Sequence, residues 1–218
     1  MAERDRPHIF VPTPPASEPF TPNSTPVTSR AAGFDGSRSK HGARLTKEFK
    51  AAWEPPKDEP ESTGTYLTFT SFPGLELMLE SLESLRSGVQ PELVAVQTEK
   101  TPDGDVVNAT VFIPNGQKEF FLKKLENYVK TADEVAGKPR HAALIEGINS
   151  IRRATIRELW TDPADEYPTD PTQSRWWELW LRAGDGREYE RLAEYARQHE
   201  LPVSDHYLGF GDRTVVLI

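Results

Sequence analysis

The sequence predicts an α+β protein. Three observations carry that expectation. A strand–helix–strand–strand order can be read twice, at about 66–113 and 175–218. Two tight turns, Thr101-Pro-Asp-Gly104 and Gly211-Asp212, close a hairpin in each copy. Hydrophobic residues make up 36% and charged residues 28% of 218 residues, enough for a packed core over part of the chain.

The N-terminal stretch, residues 1–43, reads as a disordered Pro/Ser-rich arm. Ten of the 19 prolines fall before residue 62, and the large apolar groups there follow no period. Such a segment cannot bury enough surface to offset its ordering entropy. Ile9, Phe10, Val11 and Phe20 are either stray hydrophobes or a short linear segment that docks on a partner or on the body of the protein. Residues 44–63 form a short helix and a linker, with Leu45, Phe49 and Trp53 four residues apart and Pro55-Pro56 as the stop.

Residues 64–131 form the first β-α-β-β-α unit. Tyr66–Ser71 is a strand broken by Pro73-Gly74. Leu75–Arg86 follows as a helix, with Leu75, Met78, Leu79, Leu82 and Leu85 on one stripe. Leu93–Glu99 and Val106–Ile113 are the hairpin strands, and Gln117–Lys130 is an amphipathic helix through Phe121, Leu125 and Tyr128. Residues 132–174 hold a long helix, Ala142–Trp160, and an acidic loop with Asp162, Asp165, Glu166 and Asp170.

Residues 175–218 form the second β-α-β-β unit. Arg175–Arg182 alternates sharply, with Trp177, Leu179 and Leu181 on one face and Trp176, Glu178, Trp180 and Arg182 on the other. A helix over Glu188–Glu200 and strands over Val203–Phe210 and Arg213–Ile218 complete it. Each unit is half of a ferredoxin-like split β-α-β layer. Periodicity does not decide whether the two share a sheet.

The chemistry that the residues exclude is extensive. Net charge is −8, which argues against a nucleic-acid surface and against polybasic membrane attachment. No run approaches the length of a membrane span and no signal-peptide core follows Met1, so a cytoplasmic location is expected. With no cysteine there is no disulfide, thiolate site or cysteine nucleophile. His8, His41, His141, His199 and His206 form no metal-ligand pair beyond a loose His199/His206, and His41 falls in the arm, where nothing would hold an imidazole. There is no serine elbow, and Gly209-Phe-Gly-Asp212 lacks the helix and lysine of a phosphate loop. The acidic loop lacks the glycine pivot of a calcium cage and reads as solvated. Catalytic residues, cofactor and metal are all expected to be none.

A working surface is indicated by the tryptophans. Trp176 and Trp180 lie opposite Trp177, so both faces of that strand need cover. Either the chain covers both, or one is left for a partner, with Arg182 as a rim contact. The apolar end Val215, Val216, Leu217 and Ile218 is the second candidate contact.

Several blocks resemble the N-terminal, non-catalytic region of bacterial cytoplasmic subtilisin-like serine peptidases. They are Phe72-Pro-Gly-Leu-Glu76 with its Leu-rich sequel, Ala109-Thr-Val-Phe-Ile-Pro114 running into Phe121-Leu-Lys-Lys-Leu-Glu-Asn-Tyr128, and Ile151-Arg-Arg-Ala-Thr-Ile-Arg-Glu-Leu-Trp160 followed by Trp176-Trp-Glu-Leu-Trp-Leu181. The arm, with Pro7-His-Ile-Phe-Val-Pro12, is similar in style. The resemblance implies a peptidase domain C-terminal to this region and no catalytic residue within it. It implies a propeptide-like role, as intramolecular chaperone or inhibitor of that domain. An adaptor docking an AAA-type ATPase, with phage defence as its setting, and a stand-alone ligand-binding domain are the other expectations. As an inhibitor, the sheet would pack on peptidase helices, the apolar end would lie along the cleft, and the acidic loop would cap helix N-termini.

Overall fold

The computed structural model describes residues 34, 36–55, 62–82, 91–130, 141–163, 166–170 and 172–218. The chain is α+β, as predicted, and divides into unit 1 (residues 1–159) and unit 2 (residues 160–218). The elements, in order, are α1 (Arg38–Trp53), β1 (Gly64–Ser71), α2 (Leu79–Leu82), β2 (Glu92–Thr101), β3 (Gly104–Pro114), a 3₁₀ turn (Asn115–Gln117), α3 (Lys118–Val129), α4 (Ala142–Ile145), β4 (Ile148–Arg153), α5 (Ile156–Leu159), β5 (Glu178–Arg182), α6 (Glu188–Gln198), β6 (Tyr207–Phe210) and β7 (Arg213–Leu217). The two units build separate antiparallel sheets, with strand orders β2-β3-β1-β4 and β5-β7-β6. Most of the arm lies outside the described residues.

In unit 1 one face of the sheet carries Leu67, Phe69, Ala109, Val111, Ile113 and Ile151 into a core closed by α1 and α3. From α1 come Leu45, Phe49 and Ala52; from α3 come Phe121, Leu122, Leu125 and Tyr128. Phe49, Phe69 and Phe121 stack with ring centroids 5.9 Å apart in successive pairs. On the opposite face the buried Thr68 and Thr110 hydroxyls pair at 3.1 Å, and Thr110 donates to the Glu158 carbonyl of α5. The Glu158 carboxyl is held below its usual range. Burial alone would raise it, but hydrogen bonds from Thr155 and the Arg152 guanidinium (2.7 Å) outweigh that.

Four expectations are corrected. The long helix over Ala142–Trp160 is instead α4, β4 and α5. Its apparent helical spacing has a physical source: the pairing of β4 with β1 slips one residue, from Thr70↔Ser150 to Ser71↔Ile148. That bulge sets Ile148 and Ile151 at a spacing of three with both side chains buried, which imitates i, i+3. Gly147 lies between α4 and β4 in close approach to another backbone: a Cβ there would stand 3.0 Å from the Glu76 carbonyl oxygen. The Leu75–Arg86 helix is seen as Leu79–Leu82, with residues 83–90 outside the described set. The helix placed in residues 44–63 begins earlier, at Arg38, where the Ser37 side chain accepts from the Lys40 N–H.

The fourth correction is His41. It is 4% exposed, in the first turns of α1 rather than in a loose arm. Its Nε2 faces the Ile148 carbonyl oxygen at 2.9 Å and so carries the proton, leaving Nδ1 to accept from the Tyr128 hydroxyl at 3.4 Å. Phe34 lies parallel on the ring at 4.3 Å. Gly42 lets α3 come this close: a Cβ there would meet Val129 at 2.4 Å. Burial pushes the imidazole below its ordinary value and pushes the Tyr128 hydroxyl above its own.

Candidate interaction face

Unit 2 has the alternation the sequence predicts. Register pairs Trp180 with Val215 and Val215 with Leu208, and it pairs Phe210 with Arg213 and Arg213 with Arg182. One face of the sheet is therefore Glu178, Trp180 and Arg182 from β5, Arg213, Val215 and Leu217 from β7, and Leu208 and Phe210 from β6. The other face presents Leu179, Leu181, Val216 and Tyr207 to α6. There Tyr189 of α6 packs against Tyr207 at 4.8 Å and donates to the Ser204 carbonyl, and Ala196 is fully buried.

Among the described residues of unit 2, no helix covers the first face. Trp180 is 58%, Leu208 62%, Phe210 51% and the flanking Trp176 61% exposed. Trp180 and Phe210 stack across β7 with centroids 5.7 Å apart and planes 16° from parallel. Their stack roofs Val215, which is buried although its strand faces outward. The Trp180 indole N–H donates to the Glu178 carboxylate at 2.6 Å, which restrains the ring on this face. Arg213 is held at the rim by Asp212 (2.7 Å). Large apolar groups exposed together in this way mark an interaction surface on a folded unit.

Of the residues singled out from sequence, Trp176, Trp180 and Leu217 lie exposed, and Arg182 and Ile218 are half-buried. Val215 and Val216 are not part of a free apolar end. β7 is the central strand, hydrogen-bonded on both sides, and these two side chains, on opposite faces, are both buried. Ile218 exchanges backbone hydrogen bonds with Trp177, at 2.7 and 2.9 Å. Sequence reasoning missed Leu208 and Phe210. The signal was available in the Gly211-Asp212 turn, which fixes the register that sets Phe210 beside Trp180.

Trp160, Tyr167 and Trp177 form a separate cluster of mutually edge-on rings, 5.4 to 6.2 Å apart, that pins the acidic loop to β5. In that loop Asp170 accepts from the Thr172 N–H and hydroxyl, which hold its carboxyl below the usual range. Asp165 lies outside the described residues. No group of three metal-ligating side chains is found among the described residues. Unit 1 contains an apolar gap between Phe49, Phe69, Phe121 and Ile148 of about 10 Å³, no more than a water needs. No helix among the described residues is long and apolar enough to cross a membrane.

No protein-family model, curated protein or solved structure matches the chain.

Proposed function

We propose that this chain is a propeptide-like region of a subtilisin-like serine endopeptidase, acting as intramolecular chaperone or inhibitor of a peptidase domain that these residues do not include. The observation that carries the reading is the bare aromatic face of unit 2. A helix covers one side of a three-stranded split β-α-β sheet, and the other side offers Trp176, Trp180, Leu208 and Phe210. A sheet of that kind can lay its open face on surface helices of a second domain, where Trp acts as anchor and Arg182 and Arg213 supply the rim. Such docking requires no catalytic group, in line with the residue chemistry of the chain. The sequence blocks that resemble subtilase N-terminal regions support a peptidase domain as the partner.

An adaptor for an AAA-type ATPase would use the same face but leave the peptidase cleft open. The two readings separate in one assay. Residues 1–218 added to the peptidase domain encoded with them should inhibit peptide hydrolysis in a saturable way, and Trp180→Ala should weaken inhibition at least tenfold. Undiminished hydrolysis at all ratios would exclude the inhibitor reading. The 10 Å³ gap in unit 1 gives a small-molecule role no support.

A further inference from the structure

The open edge of unit 2 has a chemistry of its own. β6 (Tyr207–Phe210) ends the sheet, all four residues are exposed, and none is charged. Its two-residue turn, with Gly211 at φ +44°, makes Phe210 and Arg213 the closing hydrogen-bonded pair. By the alternation of an antiparallel ladder, Leu208 and Phe210 turn their backbone groups towards β7. Tyr207 and Gly209 turn theirs outward. A residue in mid-strand without a side chain weakens a strand unless another backbone approaches it, and a Cβ on Gly209 would meet nothing within 4 Å. Uncharged edges of this kind are templates for a further strand.

We propose that β6 pairs antiparallel with β6 of a second copy about a two-fold axis at Leu208. A second copy fits because the strand is complementary to itself in one register. Tyr207 would face Gly209 of the partner copy and Gly209 the partner's Tyr207, so the outward N–H and C=O of all four residues are satisfied. The same register sets each Tyr207, whose ring packs on Tyr189 of its own α6, directly opposite the partner's Gly209, where the missing side chain leaves room for it. Leu208 meets its own symmetry mate on the aromatic face. The two three-stranded sheets become one of six strands, and the aromatic faces of both copies become continuous. The contact area is small, so the dimer forms and dissociates with concentration.

Sedimentation of residues 1–218 between about 1 and 500 μM should show the average mass rising from 24.6 kDa towards twice that value. Leu208→Lys sets two like charges at the two-fold and should hold the protein monomeric, as should Leu208→Glu. Mixing the two variants should restore dimer. Amide exchange at Tyr207 and Gly209 should slow as concentration rises. A monomer throughout the range overturns the proposal, as does a dimer whose Tyr207 and Gly209 amides exchange at the monomer's rate. Failure of peptidase inhibition leaves all of these readouts unaffected, so the two proposals fail separately.

Discussion

Unit 1 and unit 2 solve the same problem in opposite ways. Unit 1 closes its sheet. α1 and α3 cover one face, α5 reaches over part of the other, and the edge strands are guarded. On β4 the Glu48 carboxylate from α1 accepts the Ile151 N–H at 3.0 Å, which removes a free donor from that edge. On β2 the outer residues include Glu99 and Lys100. Unit 2 leaves one face bare and one edge uncharged, and among the described residues its buried apolar set is Ala196, Val215 and Val216. The chain thus keeps most of its buried apolar side chains in the first unit and exposes a run of large apolar ones on the second.

If that division is right, mutations should split by unit. The largest loss is expected at Phe69, 1% exposed and stacked on Phe121. Phe69→Ala should cost about 3–5 kcal/mol in urea unfolding, the usual cost of emptying an aromatic core site. A loss below about 1 kcal/mol would mean that the unit 1 core is not the stabilising element.

The next effect is on pH dependence and belongs to His41. Its imidazole is held below the ordinary value of 6.5, mainly by burial, with the Arg44 charge adding to that and the Ile148 carbonyl and Glu48 opposing it. The unfolded chain therefore binds a proton near pH 6.5 that the folded chain refuses. Stability is unaffected above that pH and falls as pH drops from 6.5 towards the folded value, at no more than about 1.4 kcal/mol per pH unit. His41→Phe should flatten this part of the stability profile between pH 6.5 and 5, measured by urea midpoints. An unchanged slope would mean that other groups carry the acid sensitivity.

These two sites also show what was legible in the sequence. The first hairpin, α3, α6 and the alternation of β5 follow from local period and turn chemistry, and the structure has the first hairpin and both helices at nearly the expected bounds. The strand expected over Val203–Phe210 is only Tyr207–Phe210, and the one expected from Arg175 begins at Glu178. β4 was not legible, because a bulge created by its pairing with β1 changes the spacing of Ile148 and Ile151, and a single strand carries no record of its partner. His41 was hidden for a related reason. Its partners Tyr128 and Ile148 lie 87 and 107 residues away, and proline content upstream said nothing of them. The aromatic face was half legible: Trp176 and Trp180 stand out in one strand, whereas Leu208 and Phe210 join them through register alone.

The smallest effect on stability is expected where the comparison is sharpest. Trp176 is 61% exposed and flanks the open face, with no ring stacked on it among the described residues. Trp176→Ala should change unfolding free energy by no more than about 0.5 kcal/mol, as for other surface substitutions. If the face is where unit 2 meets its partner, the same change should weaken docking by tenfold or more, because tryptophans buried on docking carry a disproportionate share of binding. Unfolding and peptidase inhibition measured on one preparation test both halves. A loss that leaves the fold intact and abolishes docking places Trp176 in the docking surface, whereas a loss that changes neither fold nor docking returns it to the ordinary exposed hydrophobes of a folded unit.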